Sequence, residues 1–436
     1  MNRTFHRQSA DSKRTNVEAP EREAPAGTVR AFFPRCFAAH PGTTIALWAL
    51  MAAANLGAGL VIATWPERQV DLDTIRRWGT EWLIEGRDVY AFDGSWPDYP
   101  PHALVTLSPL ALLPADASVP LWAGFNLILA LVIPYLAIRV VRPSITVGEA
   151  LLPMLMMLCW GGFRTLLQFS LLALACGLVA VALAAGRRPV SSGIGLGLSL
   201  MKPQITFPIL LWALFTRRFR MIGISLAVIA AGLMVFCLRA GADPVAVTRR
   251  YIHILRFLYT GDAPMLGAAQ LRPLLAVFIS DFGLLDRVVL ATALALLAVI
   301  GWLGYAEGRK GRVTWYGAPA LAAMWCLLTF HHLTNGFLML LPMAAALIYA
   351  EEAGTLALRR AVFWILQLGL MVDVPSLLRR FGALTPLSSG SIEVLMHTDR
   401  VLVLLLFALT LILALKALRP KAAISPSTSA TLKADS

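Results

Sequence analysis

The run Val70-Asp71-Leu72-Asp73-Thr74-Ile75-Arg76-Arg77-Trp78 sets two carboxylates beside two guanidinium groups. A carboxylate held at an apolar surface can take a proton from a hydroxyl, which is general-base chemistry. Asp71 and Asp73 are both candidates for that base. The spacing keeps a plainer reading open, in which Asp71 caps a helix. Asp73, Arg77 and Glu81 would then form a solvated ladder at intervals of four. Lys202 is the one charged residue between Pro189 and Thr216. An ammonium near lipid is costly unless it snorkels to the interface or meets an anion or water. Gln204 lies two residues on, and Arg164, Gln168, His331 and His332 fall at the ends of apolar blocks. A carboxylate near such cations suits an activated nucleophile and an anionic leaving group held by positive charge.

Long apolar segments must position these groups. Hydrophobic residues make up 58% of the 436, and charged residues only 14%. The apolar residues come in blocks near the roughly 20 residues that cross a bilayer as a helix. Backbone groups in lipid must be satisfied within the segment, which selects helices. The blocks fall at 43–65, 119–141, 147–163, 165–186, 190–201, 203–216, 219–238, 286–307, 314–330, 333–350, 361–375 and 397–416. The fold class expected is an all-α, polytopic membrane protein with about 10–12 transmembrane helices. Pro203 divides the stretch from Pro189 to Thr216 into a helical hairpin with Lys202-Pro203-Gln204 at its tip. Residues 104–114 are apolar but too short to span.

Basic linkers set the expected topology. Arg139/Arg142, Arg187/Arg188, Arg217/Arg218/Arg220, Arg309/Lys310/Arg312 and Arg359/Arg360 all fall inside with both tails, one alternation per span. Arg249, Arg250 and Arg256, and Arg379/Arg380, fall outside and run against the rule. The chain divides into a disordered basic cytoplasmic tail at 1–38, a membrane domain at 39–419 and a second cytoplasmic tail at 420–436. Outer loops are expected at 66–100, 239–285 and 376–396, so the candidate residues share the outer rim of a cell membrane. In the first loop, Ile75, Trp78 and Trp82 make one helical stripe, expected to lie on the bilayer surface with Trp at headgroup level. Gly86…Tyr90 and Tyr99-Pro100-Pro101 shape the rest of that loop.

Other classes fit poorly. The net charge of +13 sits in linkers rather than in a groove, so nucleic acid is not an expected partner. The five cysteines have neither metal nor disulfide spacing. Gly193, Gly195 and Gly197 lack the strand–turn–helix setting of a nucleotide loop and read as a close helix crossing.

In this order, Asp71, Gly86 with Tyr90, Tyr99-Pro100-Pro101, Gln168-Phe169-Ser170-Leu171, Lys202-Pro203-Gln204 and Arg217-Arg218-Phe219-Arg220 resemble glycosyltransferase family 87 of the GT-C superfamily. His331-His332 with Asn335 and Pro342 is similar to a late histidine motif of that family, and the likeness runs over about 43–350. Leu167 departs from the usual Gly before Gln168, and Asn335 from a common acidic residue. The resemblance implies an inverting transferase using a polyprenyl-phosphate-linked sugar, such as mannose, and an envelope lipid or glycan acceptor; the residues themselves show no metal-ligand spacing and no cofactor motif, so neither is expected. It implies Asp71, or else Asp73, as base. Tyr90, Tyr99, Arg164, Gln168, Lys202, Gln204, His331 and His332 would bind substrate. The alternative is a transporter or flippase for a lipid-linked or small polar substrate. That class should put ionisable groups at the midplane and show paired halves.

Overall fold

The computed structural model describes residues 32–33, 37, 39–65, 69–91, 97–260, 271–329, 336–350, 353–371 and 398–419. His331, His332, Asn335, the loop at 376–396 and most of both tails lie outside them. Among the described residues the regular structure is helical. The helices are α1 (Pro41–Ala63), α2 (Val70–Gly79), α3 (Pro101–Leu107), α4 (Ala115–Val141), α5 (Val147–Leu158), α6 (Ser170–Ala185), α7 (Pro189–Ser199) and α8 (Pro203–Phe215). There follow α9 (Phe219–Ala240), α10 (Pro244–Thr260), α11 (Leu271–Ala276), α12 (Phe282–Arg309), α13 (Ala318–Thr329), α14 (Leu341–Tyr349), α15 (Leu356–Met371) and α16 (Thr398–Leu418).

Among the described residues, each of the twelve apolar blocks contains a helix, some with a short 3-10 turn beside it. Five are long and apolar enough to cross a bilayer: α1, α4, α9, α12 and α16. They expose large apolar side chains such as Leu50, Ile128, Leu238 and Trp302. Such faces are stable only against lipid or another protein. The shorter helices α13 and α14 are almost wholly buried behind them. The protein is therefore a multi-pass, all-α membrane protein.

The glycines on α7 serve packing, as their spacing suggests. A Cβ on Gly193 would stand 2.5 Å from Ile224 Cβ of α9, and one on Gly197 2.7 Å from Val228 Cβ. Gly195 turns the other way, where a Cβ would lie 3.3 Å from the Cys176 carbonyl oxygen of α6. The α6–α7–α9 layer closes only because these positions lack side chains. Gly193→Val is expected to cost about 1–3 kcal/mol by overpacking, read as a lower midpoint for heat-induced unfolding in detergent.

The breaks between helices carry most of the polar structure. α5 ends at Leu158, and irregular backbone runs to Phe169 with one 3-10 turn at Gly161–Arg164. Free carbonyl groups in such a break need partners. Asn55 of α1 donates to Leu158 O and Trp160 O at 2.8 and 3.0 Å. Gln367 of α15 donates to Met156 O at 2.8 Å and accepts from Trp160 Nε1 at 2.8 Å. Two buried amides thus hold open a gap that the sequence presents as two consecutive spans.

Candidate functional site

The first loop folds down onto the protein rather than lying on the bilayer. Ile75, Trp78 and Trp82 are nearly fully buried with Leu72, so the stripe expected at headgroup level is a core face instead. Trp82 stacks on Phe236 of α9 with ring centroids 5.6 Å apart, and its Nε1 donates to Phe236 O at 3.0 Å. Arg239 donates to Leu83 O and Ile84 O at 3.1 and 2.8 Å. The same arginine fills the space beside Gly86, whose φ of +72° favours glycine. Arg250 of α10 pairs with Asp88 at 2.6 Å. Burial of the two tryptophan rings, Trp82 stacked on Phe236 with its Nε1 satisfied there, outweighs any gain from placing them in the interface.

This docking fixes where Asp71 stands. Gln69, not Asp71, precedes the first turn of α2, and no side chain caps that helix. The capping alternative is thereby overturned. Asp71 is in the first turn, half-buried, beside the buried Leu72. Asp73 is 58% exposed and pairs with Arg76 at 3.9 Å, one residue short of the Arg77 expected. Arg77 does meet Glu81, at 4.0 Å. The two aspartates therefore face different surroundings.

The double proline does what its chemistry dictates. Pro100 is extended at ψ 156°, and Pro101 starts α3. The chain just ahead is held by Tyr90, whose hydroxyl donates to Tyr99 O at 2.6 Å. Burial first, then the Tyr251, Asp88 and Asp98 charges, keeps the Tyr90 phenol protonated, well above its usual pKa. It thus serves as a fixed donor. The Tyr99 ring meets Phe169 edge-on at 5.8 Å. Above the same ring sits Lys202 Nζ, 5.8 Å from its centroid.

Lys202 is the turning point of the α7–α8 hairpin, as Pro203 requires, but it does not snorkel. It is only 7% exposed. Two carboxylates lie near enough to act on its charge, Asp71 and Asp98. Asp98 escaped the sequence reading, being adjacent to Tyr99-Pro100-Pro101 and carrying no periodic or motif signal of its own. Burial raises its carboxyl above the ordinary range, Lys202 pulls it back and Asp71 adds to the rise. Asp71, Asp98, Tyr99 and Lys202 thus form one cluster from the first loop and the hairpin tip.

The other candidates are placed less centrally. Gln168 lies on the irregular segment next to Phe169, with its Oε1 buried and unpartnered. Gln204 is half-buried in the first turn of α8. Arg164 donates through Nε to Asn55 Oδ1 at 2.5 Å and packs its backbone on Gly59. It is bound to α1 rather than to the lysine cluster. The arginines at 249, 250 and 256 that ran against the topology belong to helix α10, not to a loop.

The cluster can hold a hydroxyl near a carboxylate and an anion near an ammonium, with an aromatic wall between. A family model, that of glycosyltransferase family 87, matches residues 96–329. The matched stretch is more than half the chain and contains Asp98, Tyr99, Arg164, Gln168 and Lys202, while Asp71 precedes it. No curated protein and no solved structure matches the chain.

Proposed function

The chain belongs to glycosyltransferase family 87 and is a membrane glycosyltransferase; on that premise we propose that it takes its sugar from a polyprenyl-phosphate-linked donor at the outer face of the cell membrane. The acceptor is a hydroxyl of an envelope lipid or glycan, and the anomeric configuration inverts. The observation that carries this reading is the buried Lys202 over the Tyr99 ring, within electrostatic reach of Asp71 and Asp98.

The chemistry follows from that arrangement. Asp71 takes the proton of the acceptor hydroxyl. The acceptor oxygen bonds to the anomeric carbon from the face opposite the phosphate, and the bond from that carbon to the phosphate oxygen breaks. Polyprenyl phosphate leaves with the electron pair, and its new charge falls to Lys202. In a low-dielectric setting a preset ammonium is worth far more to that charge than one in water. The partly buried Asp98 tempers the lysine before the donor arrives, since an isolated buried ammonium is costly. Tyr90 and Tyr99 shape the wall, and Gln168, whose Oε1 is buried without a partner, would have to turn toward the cluster to accept from a sugar hydroxyl. Under the inside-positive topology the cluster faces outward, away from cytoplasmic nucleotide sugars, which favours a lipid-borne donor.

Purified protein in liposomes, supplied with acceptor lipid extract, should transfer label from a polyprenyl-phosphate hexose and not from nucleotide sugars. Transfer from a nucleotide sugar alone would sink the lipid-donor reading.

A further inference from the structure

The α7–α8 hairpin carries Lys202 at one end and arginines at the other. α7 and α9 run parallel, because Ile224 fills the gap at Gly193 and Val228 the gap at Gly197, four residues on in both helices. Their first turns therefore stand side by side, at the end away from Lys202. Arg187 and Arg188 lead into α7, and Arg217, Arg218 and Arg220 into and along the start of α9. Arg218 ties the two turns together. Its Nη1 donates to Ala184 O at 2.6 Å, and its guanidinium carbon lies 5.1 Å from the Trp212 ring centroid. Arg187, Arg188, Arg217 and Arg220 are exposed.

The charge of this patch is of one sign. Neither first turn holds an acidic residue, and the sequence has none between Glu149 and Asp243. The end of α12 abuts the second turn, where a Cβ on Gly308 would stand 2.7 Å from Phe215 O. It adds the exposed Arg309 and Lys310, while its one acid, Glu307, is buried and accepts from Ala318 N at 3.4 Å. Around the arginines runs an apolar collar. Val190, Leu214 and Phe219 are exposed on the hairpin and α9, and Trp302 and Tyr305 on α12. Arg309 lies over the Tyr305 ring at 6.0 Å. Exposed aromatics one turn from basic groups mark headgroup depth. A soluble acidic partner would leave the collar in water, whereas a lipid covers it with acyl chains and meets the guanidinium groups with phosphate.

We propose that these paired arginine turns dock anionic phospholipid headgroups of the leaflet opposite the Lys202 cluster. Under the proposed topology that is the inner leaflet. The docked lipids seat the base of the α7–α8 hairpin, whose tip carries Lys202. The assignment concerns bulk membrane lipid and stands apart from donor and acceptor.

Purified full-length protein in neutral detergent is titrated with fluorescent phosphatidylglycerol or phosphatidylcholine. Wild type should bind the anionic lipid about tenfold more tightly, with the preference fading as salt is raised. Arg187 and Arg217 have φ of 56° and 57°, which glycine adopts without strain, so Arg187→Gly/Arg217→Gly should fold and lose the preference. Arg188→Gln/Arg220→Gln should lose it as well, and decides if the glycine variant does not fold. Arg249→Gln/Arg256→Gln removes the same charge from α10, beyond the other end of α9, and should keep it. Equal loss in that control overturns the proposal, since net charge alone would then be at work. No preference in wild type overturns it too. Equal competition by glycerol phosphate does the same, because the site would then take a small anion rather than a lipid surface.

Discussion

Asp71→Asn is expected to lower turnover by roughly 10²–10⁴-fold, the usual worth of a positioned general base, with the protein still folded, since Asp98 remains to balance Lys202. Asparagine keeps the shape and removes the proton acceptor. The side chain caps no helix, so its loss should not loosen α2. The comparison with Asp73 is the sharper part. Asp73 is 58% exposed and engaged with Arg76, and surface pairs of that kind are worth little. Asp73→Asn should therefore leave turnover within about twofold, in keeping with surface substitutions generally. Sugar transfer from a labelled lipid donor, normalised to folded protein, reads both. If Asp71→Asn keeps full turnover and Asp98→Asn loses it, the base is the carboxylate that sequence reading passed over. The assignment then moves one side chain along the same cluster.

What the sequence makes legible follows the strength of each physical signal. Blocks near bilayer length are unmistakable, and each contains a helix among the described residues. Pro203 marks the hairpin tip because a proline cannot continue the preceding helix, and Gly193, Gly195 and Gly197 mark the α7 crossings because only small residues allow them. The irregular stretch from Cys159 to Phe169 is not legible, since its apolar composition is that of a span. What opens it is Asn55 and Gln367, more than a hundred residues away on either side. The same limit explains the misplaced tryptophans. An amphipathic stripe announces an apolar partner without saying whether that partner is lipid or Phe236. Asp98 was hidden for a related reason, as its meaning lies in Lys202, a hundred positions on, and no local pattern links them.

Lys202→Met should cost about 10²–10³ in kcat, the range seen when one preorganised charge-stabilising donor is removed. The donor KM should move far less. Phosphate charge grows as the glycosidic bond breaks, so an ammonium aimed at it acts mainly on the transition state. The single variant has a confounding cost, because removing one member of a buried charge group strands the others. Asp98 would lose the cation that draws its carboxyl back toward the ordinary range. The double variant Lys202→Met/Asp98→Asn separates the two effects. It should recover the heat stability of wild type and not its turnover. Recovery of both would make Lys202 only a counter-ion for Asp98, and the leaving-group role would fall. Lys202→Arg should recover part of the rate, since the charge persists while the larger planar head must fit over the Tyr99 ring. A rate lost with methionine, partly restored with arginine and unmoved by stability rescue is the signature of a charge that meets the departing phosphate.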